Sequence, residues 1–412
     1  MAAEVVMSGM DPIMRAIVTI SVLIFFAKIF ASAFSSLRLP SVIGELLAGI
    51  VLGPYALGSG IEIFGEPLVV LNEYVDVFAE IGAIMILFSI GLEMGLASLK
   101  RTGVWAVLVA TGGALLPFIA GYQLYLYLGA SHSTALMIGA VMVATSLAIS
   151  VRILDDFHAL KTDEGSLLVN SAVIDDVLGV VILAVISSIV AKGGVMDIYS
   201  ALTMTATFFL IWMLMIIVGA YILPRVIEQA TMLRAEGAVE AAAIGSAFIM
   251  AAIAGALGLS PVVGSYAAGM AVAESRAHPR IKDFIRHINQ IFSPVFFTVL
   301  GAKMNIMVFS GEVLIGTLIL TAIAIITKLA GCFLAALAKL RDLMKSVRLG
   351  VGMIPRGEIG LIIAAIGLKR GVLPETIYME SIGMVIITSL IAPIILSKLY
   401  EAIPTEAEAV LE

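Results

Sequence analysis

Stretches of about 20 apolar residues recur along this chain from Ile13 to near its end, each long enough for a helix to cross a hydrocarbon layer about 30 Å thick. Of the 412 residues, 61% are hydrophobic and 13% charged, against the roughly 25% charged residues of a soluble domain. The chain therefore reads as an all-α polytopic membrane protein. No basic leader segment with a small-residue cleavage site precedes the first stretch, which is read as a retained helix. The single Cys332 lies in an apolar run, leaving no disulfide framework and no thiolate cluster. His132, His158, His278 and His287 fall in expected loops, so neither a resident metal nor a cofactor is expected. No nucleic-acid partner is expected either.

Pro, Gly and charged residues punctuate the chain into about thirteen spans, at 12–35, 40–53, 74–92, 103–128, 132–154, 166–191, 198–222, 237–257, 260–274, 284–305, 313–338, 346–368 and 378–400. The second and ninth are short and Gly-rich. With the N-terminus outside, sixteen basic residues, from Arg38 to Lys398, fall on the cytoplasmic side, and only Lys192, Lys369 and Arg370 fall opposite. That asymmetry predicts an outside N-terminus, a cytoplasmic C-terminus and a multi-pass protein of the cell membrane.

An internal repeat constrains the topology further. LPSVIGELLAGIVL (39–52) aligns with LSPVVGSYAAGMAV (259–272), and SIGLEM (89–94) with VLGAKM (299–304). The second and ninth spans are separated by an odd number of crossings, so the two copies enter from opposite sides. Inverted repeats of this kind are common in secondary transporters, whose substrate site lies where the copies meet.

Within NSAVIDDVLGVVILAV (170–185), Asp175 and Asp176 stand side by side in a run otherwise apolar from Ala172. A carboxylate inside a bilayer is expensive, and such residues commonly face a water-filled cavity or a charged partner. Neighbours on a helix point about 100° apart, so one aspartate can face a cavity while the other faces a partner. Lys328, alone in TAIAIITKLAGCFLAAL (321–337), is the expected partner. Two spans are punctuated at their centres. The 143–154 segment carries Thr145, Ser146 and Ser150, and the 350–368 segment carries Pro355, Arg356, Gly357 and Glu358. Proline removes a donor and clashes with the preceding turn, so the second should break there, while the hydroxyls of the first can serve freed backbone or ligand an ion; the two breaks would fall at corresponding positions of the two halves. Glu45, Lys28 and Lys303 are read as snorkelling or structurally paired charges.

In order, ATS (144–146), AVIDDVLG (172–179), TKLAG around Lys328 and MIPRGEIGLI (353–362) resemble the monovalent cation:proton antiporter superfamily. The similarity spans nearly the whole chain and is closest to the two-aspartate sodium/proton antiporters of the NapA branch, with the NhaA-type fold. The resemblance implies a homodimer. A dimer domain would comprise residues 1–95 and 237–305, and a core ion-transport domain residues 103–191 and 313–402, with residues 198–222 as the linking helix. Two crossing discontinuous helices would break at Thr145–Ser150 and around Pro355–Glu358. Asp176 would bind the ion, Asp175 would pair with Lys328, Thr145 and Ser146 would help ligate, and Pro355, Arg356 and Glu358 would support the break.

Burial disfavours a bare carboxylate charge, so H⁺ and Na⁺ (or Li⁺) would compete for Asp176 while the site faces one side of the membrane at a time. Loss of a proton from Lys328 would make the exchange electrogenic, two protons per sodium, as the resemblance implies. K⁺/H⁺ or mixed-cation exchange remains the alternative, and a cation channel is disfavoured by the repeat and the broken helices. An intramembrane aspartyl protease would need its aspartates on separate helices, so no enzyme is read here.

Overall fold

In the computed structural model, which describes residues 11–37, 39–63, 66–191, 198–306 and 311–401, the chain is almost entirely helical. Arg38 and Lys192, which entered the charge count, lie outside the described residues. The helices divide into two compact units, one drawn from Met1–Leu96 and Trp212–Phe309, the other from Ala97–Ile211 and Ser310–Glu412.

The first unit holds α1 (Pro12–Ser36), α2 (Ser41–Leu52), most of α3 (Glu73–Thr102), the later part of α8 (Ile198–Ala230), α9 (Ala238–Ala256), α10 (Pro261–Val272) and α11 (His278–Ala302). A two-residue hairpin, β1 (Glu62–Ile63) with β2 (Glu66–Pro67), pairs antiparallel in the register Glu62↔Pro67. The starts follow from local chemistry. Asp11 Oδ1 accepts the Ile13 N–H at 2.8 Å with Pro12 at the first helical position, and Pro261 likewise opens α10.

The repeat read from the sequence is visible as reciprocal packing. A Cβ added at Gly44 would lie 2.5 Å from Phe30 O on α1, and one at Gly264 would lie 2.3 Å from Met250 O on α9. Further along, Gly49 of α2 abuts Thr298 O of α11, and Gly269 of α10 abuts Phe88 O of α3. Each copy's short helix thus packs on the other copy's following helix. Gly91 and Gly301 return the contact, against Tyr266 O and Leu46 O. These glycines let backbones touch, the usual use of small residues between membrane helices.

The second unit holds α4 (Val104–Tyr127), α5 (His132–Val141), α6 (Leu147–Asp156), α7 (Asp163–Ala191), α12 (Gly311–Leu340), α13 (Leu343–Gly352), α14 (Glu358–Lys369) and α15 (Glu375–Glu401). Its core gathers Met137, Ile138, Val141, Leu320, Ile363 and Met384, each exposed by 0%. At Gly112 and Gly331 the backbones of α4 and α12 come together, since a Cβ on either would lie within 2.3 Å of the other's carbonyl oxygen.

Several boundaries differ from the sequence reading. α3 is two helical stretches that meet at Gly95, with φ 60° and ψ 174°, the first ending close to the expected 92 and the second running on to Thr102; only glycine takes such a conformation cheaply. His287 lies inside α11, and His132 and His278 open helices, so the expected loop positions of these three histidines are corrected. Arg348, near the start of the expected span 346–368, is 8% exposed in α13, where its Nε donates to Leu399 O at 3.0 Å. Lys303 does form an ion pair, with Asp76 at 2.8 Å. Among the described residues, nine helical segments are long and apolar enough to cross a membrane, while α5, α10 and most of α14 form shorter apolar helices.

Candidate functional site

The two punctuated segments of the second unit are both broken helices. α5 ends at Val141 and α6 begins at Leu147, leaving Met142–Ser146 non-helical; α13 ends at Gly352 and α14 begins at Glu358. The first break therefore lies earlier than the expected Thr145–Ser150. Ser150 sits inside α6, where its hydroxyl donates back to Ser146 O at 3.2 Å and across to Gly352 O. The second break has a local cause, since Pro355 has no N–H to give. The first has no proline and is held by tertiary partners.

Those partners begin with Lys328. Its ammonium carries three hydrogens and uses all of them, on Asp175 Oδ1 at 2.9 Å, Asp175 Oδ2 at 3.1 Å and Val143 O at 2.9 Å. Both charged side chains are 0% exposed. Asp175 Oδ2 also accepts the Thr145 N–H at 3.1 Å. Breaking a helix strands amides and carbonyls, and here Val143 O and Thr145 N–H are satisfied by the two members of one ion pair.

The second break takes up the remaining groups of the first. Ser146 N–H donates to Pro355 O at 2.7 Å, and Thr145 Oγ1 donates to Met353 O at 3.3 Å. Closeness requires glycine at 357, where a Cβ would meet Ser146 Cβ at 2.9 Å. Arg356 is 0% exposed. Its N–H donates to Thr388 Oγ1 at 3.3 Å, its Nη2 to Ala324 O at 3.4 Å, and its carbonyl accepts the Ser389 hydroxyl at 2.7 Å. The side chain of Glu358 lies outside the described residues.

Asp176, 4% exposed, follows Asp175 on α7, turned about 100° from it by helix geometry. Asp175, Lys328, Thr145, Ser146, Pro355 and Arg356 are thus brought into one buried cluster by α7, α12 and the two breaks. A fixed ammonium, a paired carboxylate, a second carboxylate beside it and half-helix ends bonded to one another form an arrangement able to hold and release a monovalent cation.

Residues 21–402 match the family described as sodium/hydrogen exchanger, transmembrane. The chain belongs to that family. It is 31% identical to the high-affinity Na⁺/H⁺ antiporter NhaS3 of Synechocystis, over 95% of this chain and 91% of the relative. It is also 31% identical to the Na⁺/H⁺-K⁺ antiporter GerN of Bacillus cereus, over 91% and 93%. In fold it is similar to the sodium proton antiporter MjNhaP1 of Methanocaldococcus jannaschii, with a TM-score of 0.68, 17% identity, and 95% and 99% of the two chains covered. As a member of the sodium/hydrogen exchanger family, the protein is a multi-pass membrane transporter.

Several residues around this exchanger's buried pair escaped the sequence reading. Gly113 of α4 makes room for the lysine, since a Cβ there would lie 3.5 Å from Lys328 Nζ and 2.5 Å from Cys332 Sγ. The paired glycines in ATGGA (110–114) were an available signal. Thr388 and Ser389, adjacent hydroxyls in an apolar helix, were another. Val143 gave none, because it acts through its backbone carbonyl.

Proposed function

We propose that the protein exchanges Na⁺ (or Li⁺) for H⁺ across the cell membrane by alternating access, with both ions competing for Asp176. The observation that carries this reading is the fully buried Lys328–Asp175 pair at the contact of two broken helices, with Asp176 beside it on α7. Asp175 is held by Lys328, and the transported ion is assigned to Asp176, the neighbouring buried carboxylate on α7. One carboxylate that binds either H⁺ or Na⁺, but not both, couples the two fluxes provided the site faces one side of the membrane at a time. Thr145, whose N–H bonds Asp175, and Ser146 lie in the first break and are suited to add oxygens around the ion. Opening the pair would free Lys328 to lose a proton, which makes the exchange electrogenic. Pro355, Arg356 and Glu358 support the second break.

In this reading the unit containing α4–α7 and α12–α15 is the ion-transport core. The other unit supports a homodimer, residues 198–222 form the link, and the N-terminus faces outward with the C-terminus in the cytoplasm. The names of NhaS3 and MjNhaP1 support sodium as substrate, and the name of GerN supports a second reading in which K⁺ is also carried. The test is an imposed pH gradient in proteoliposomes, with Na⁺, Li⁺ or K⁺ added to wild type and to Asp176→Asn. Sodium should dissipate the gradient in wild type and leave it standing in the variant. Exchange by Asp176→Asn at the wild-type rate would overturn the assignment of Asp176, and dissipation by K⁺ alone would overturn the substrate.

A further inference from the structure

At the end of the second unit where α4 finishes and α5, α12 and α15 begin lies a cavity of about 370 Å³. That volume is in the range of small-molecule sites. Its walls are chemically unequal. Leu124, Leu128, Ile319 and Ile377 supply an aliphatic side, and Glu380 supplies a carboxylate, while among the described residues no lysine, arginine or histidine lines it.

The carboxylate is held in place. Glu380 Oε2 accepts the hydroxyl of Tyr125 at 2.5 Å, and Tyr125 is itself 4% exposed. Gly316 on α12 gives the other oxygen its room, since a Cβ there would lie 2.1 Å from Glu380 Oε1. A carboxylate with one neutral donor and a partly apolar surround has lost hydration that a cation would replace with a charge-assisted hydrogen bond. The lining hydroxyls are already committed. Ser131 Oγ accepts the Thr134 N–H at 3.1 Å, and Thr134 Oγ1 donates to Val372 O at 2.8 Å. A bare metal ion would find a single carboxylate among the described lining residues, in a space far larger than itself. An anion would meet Glu380, and a neutral hydrocarbon would leave the carboxylate without a partner.

We propose that this cavity binds a small organic ammonium ion with an apolar tail, the head on Glu380 and the tail along Leu124, Leu128 and Ile319. Neither aspartate of the pair, nor Lys328, nor any residue of the two breaks lines the cavity. The site is thus separate from the proposed exchange site, and its variants should keep Na⁺/H⁺ exchange.

The test uses the full chain in phosphatidylcholine nanodiscs, with n-hexylammonium and the neutral n-hexanol as probes, read as the saturable shift of the thermal unfolding midpoint. Wild type should show saturable binding of n-hexylammonium and none of n-hexanol. Glu380→Gln should weaken binding about tenfold or more, the effect of losing a hydrogen bond to a charged group. Ile319→Trp, which fills the cavity and leaves the carboxylate, should abolish it. Equal binding of n-hexanol, an unchanged response in either variant, or displacement of n-hexylammonium by millimolar Na⁺ would overturn the proposal. Should Glu380→Gln fail to fold, Ile319→Trp alone decides. Adding phosphatidylethanolamine identifies the source, since competition marks a lipid headgroup and its absence a free amine.

Discussion

The two units solve one problem, bringing the two halves of an inverted repeat into contact, by opposite means. In the first, α2 and α10 stay continuous, and Gly49 and Gly269 press them onto the backbones of α11 and α3. In the second, the equivalent meeting is made by two helices that stop, and the gap is closed by Lys328, Asp175 and a handful of hydrogen bonds. Close backbone packing has a single solution, because interiors are dense and any added atom must displace a neighbour. Polar contacts between broken ends can be undone and remade with other partners, a cation or a proton among them. The comparison teaches that a repeat can supply a rigid frame in one place and an ion-responsive element in another, depending on whether its central residue is a glycine or a break.

The sharpest way to break this contrast is at the glycines. Gly49→Ala would place its Cβ 1.9 Å from Thr298 O, and Gly269→Ala 2.2 Å from Phe88 O. Both should abolish recovery of monodisperse protein in size-exclusion chromatography, and a well-folded Gly269→Ala would show the frame to be softer than described. Next comes the buried pair. Lys328→Met leaves Asp175 buried without its cation and should destabilise by about 3–5 kcal/mol, seen as a large drop in unfolding midpoint. Replacing both as Asp175→Leu with Lys328→Leu should recover part of it, since no buried charge is left unpaired while Val143 O and Thr145 N–H lose their partners. A smaller effect is expected at Ser389→Ala, which removes the hydroxyl on Arg356 O and should cost about 1 kcal/mol. The smallest belongs to Asp163→Asn, whose partner Arg101 is 3.4 Å away with both side chains at least half exposed. Its unfolding midpoint should match wild type, as screened surface pairs contribute about 0–1 kcal/mol.

Much was legible before any coordinate. Apolar stretches near 20 residues mark helices because hydrocarbon thickness sets the length. The break at Met353–Gly357 was visible through Pro355 and Gly357, whose effects are local. The break at Met142–Ser146 was visible only as a cluster of hydroxyls, and its position was misread toward Ser150, because the residues that terminate α5 act through partners far along the chain. Gly95 was missed as a kink for a related reason, since its φ of 60° has no signature beyond being glycine.

The sequence by itself determined that this chain lives in a membrane, that its halves are inverted copies, and that Asp175, Asp176 and Lys328 need an explanation. Hydropathy, periodicity and charge cost are properties of short segments and can be read there. Only the tertiary structure decided that Lys328 takes Asp175, 153 residues away, that its third hydrogen goes to Val143 O, and that Pro355 O receives the Ser146 N–H. Those choices depend on which stranded backbone groups meet when two breaks touch, and a backbone carbonyl carries no residue type by which a sequence could announce it.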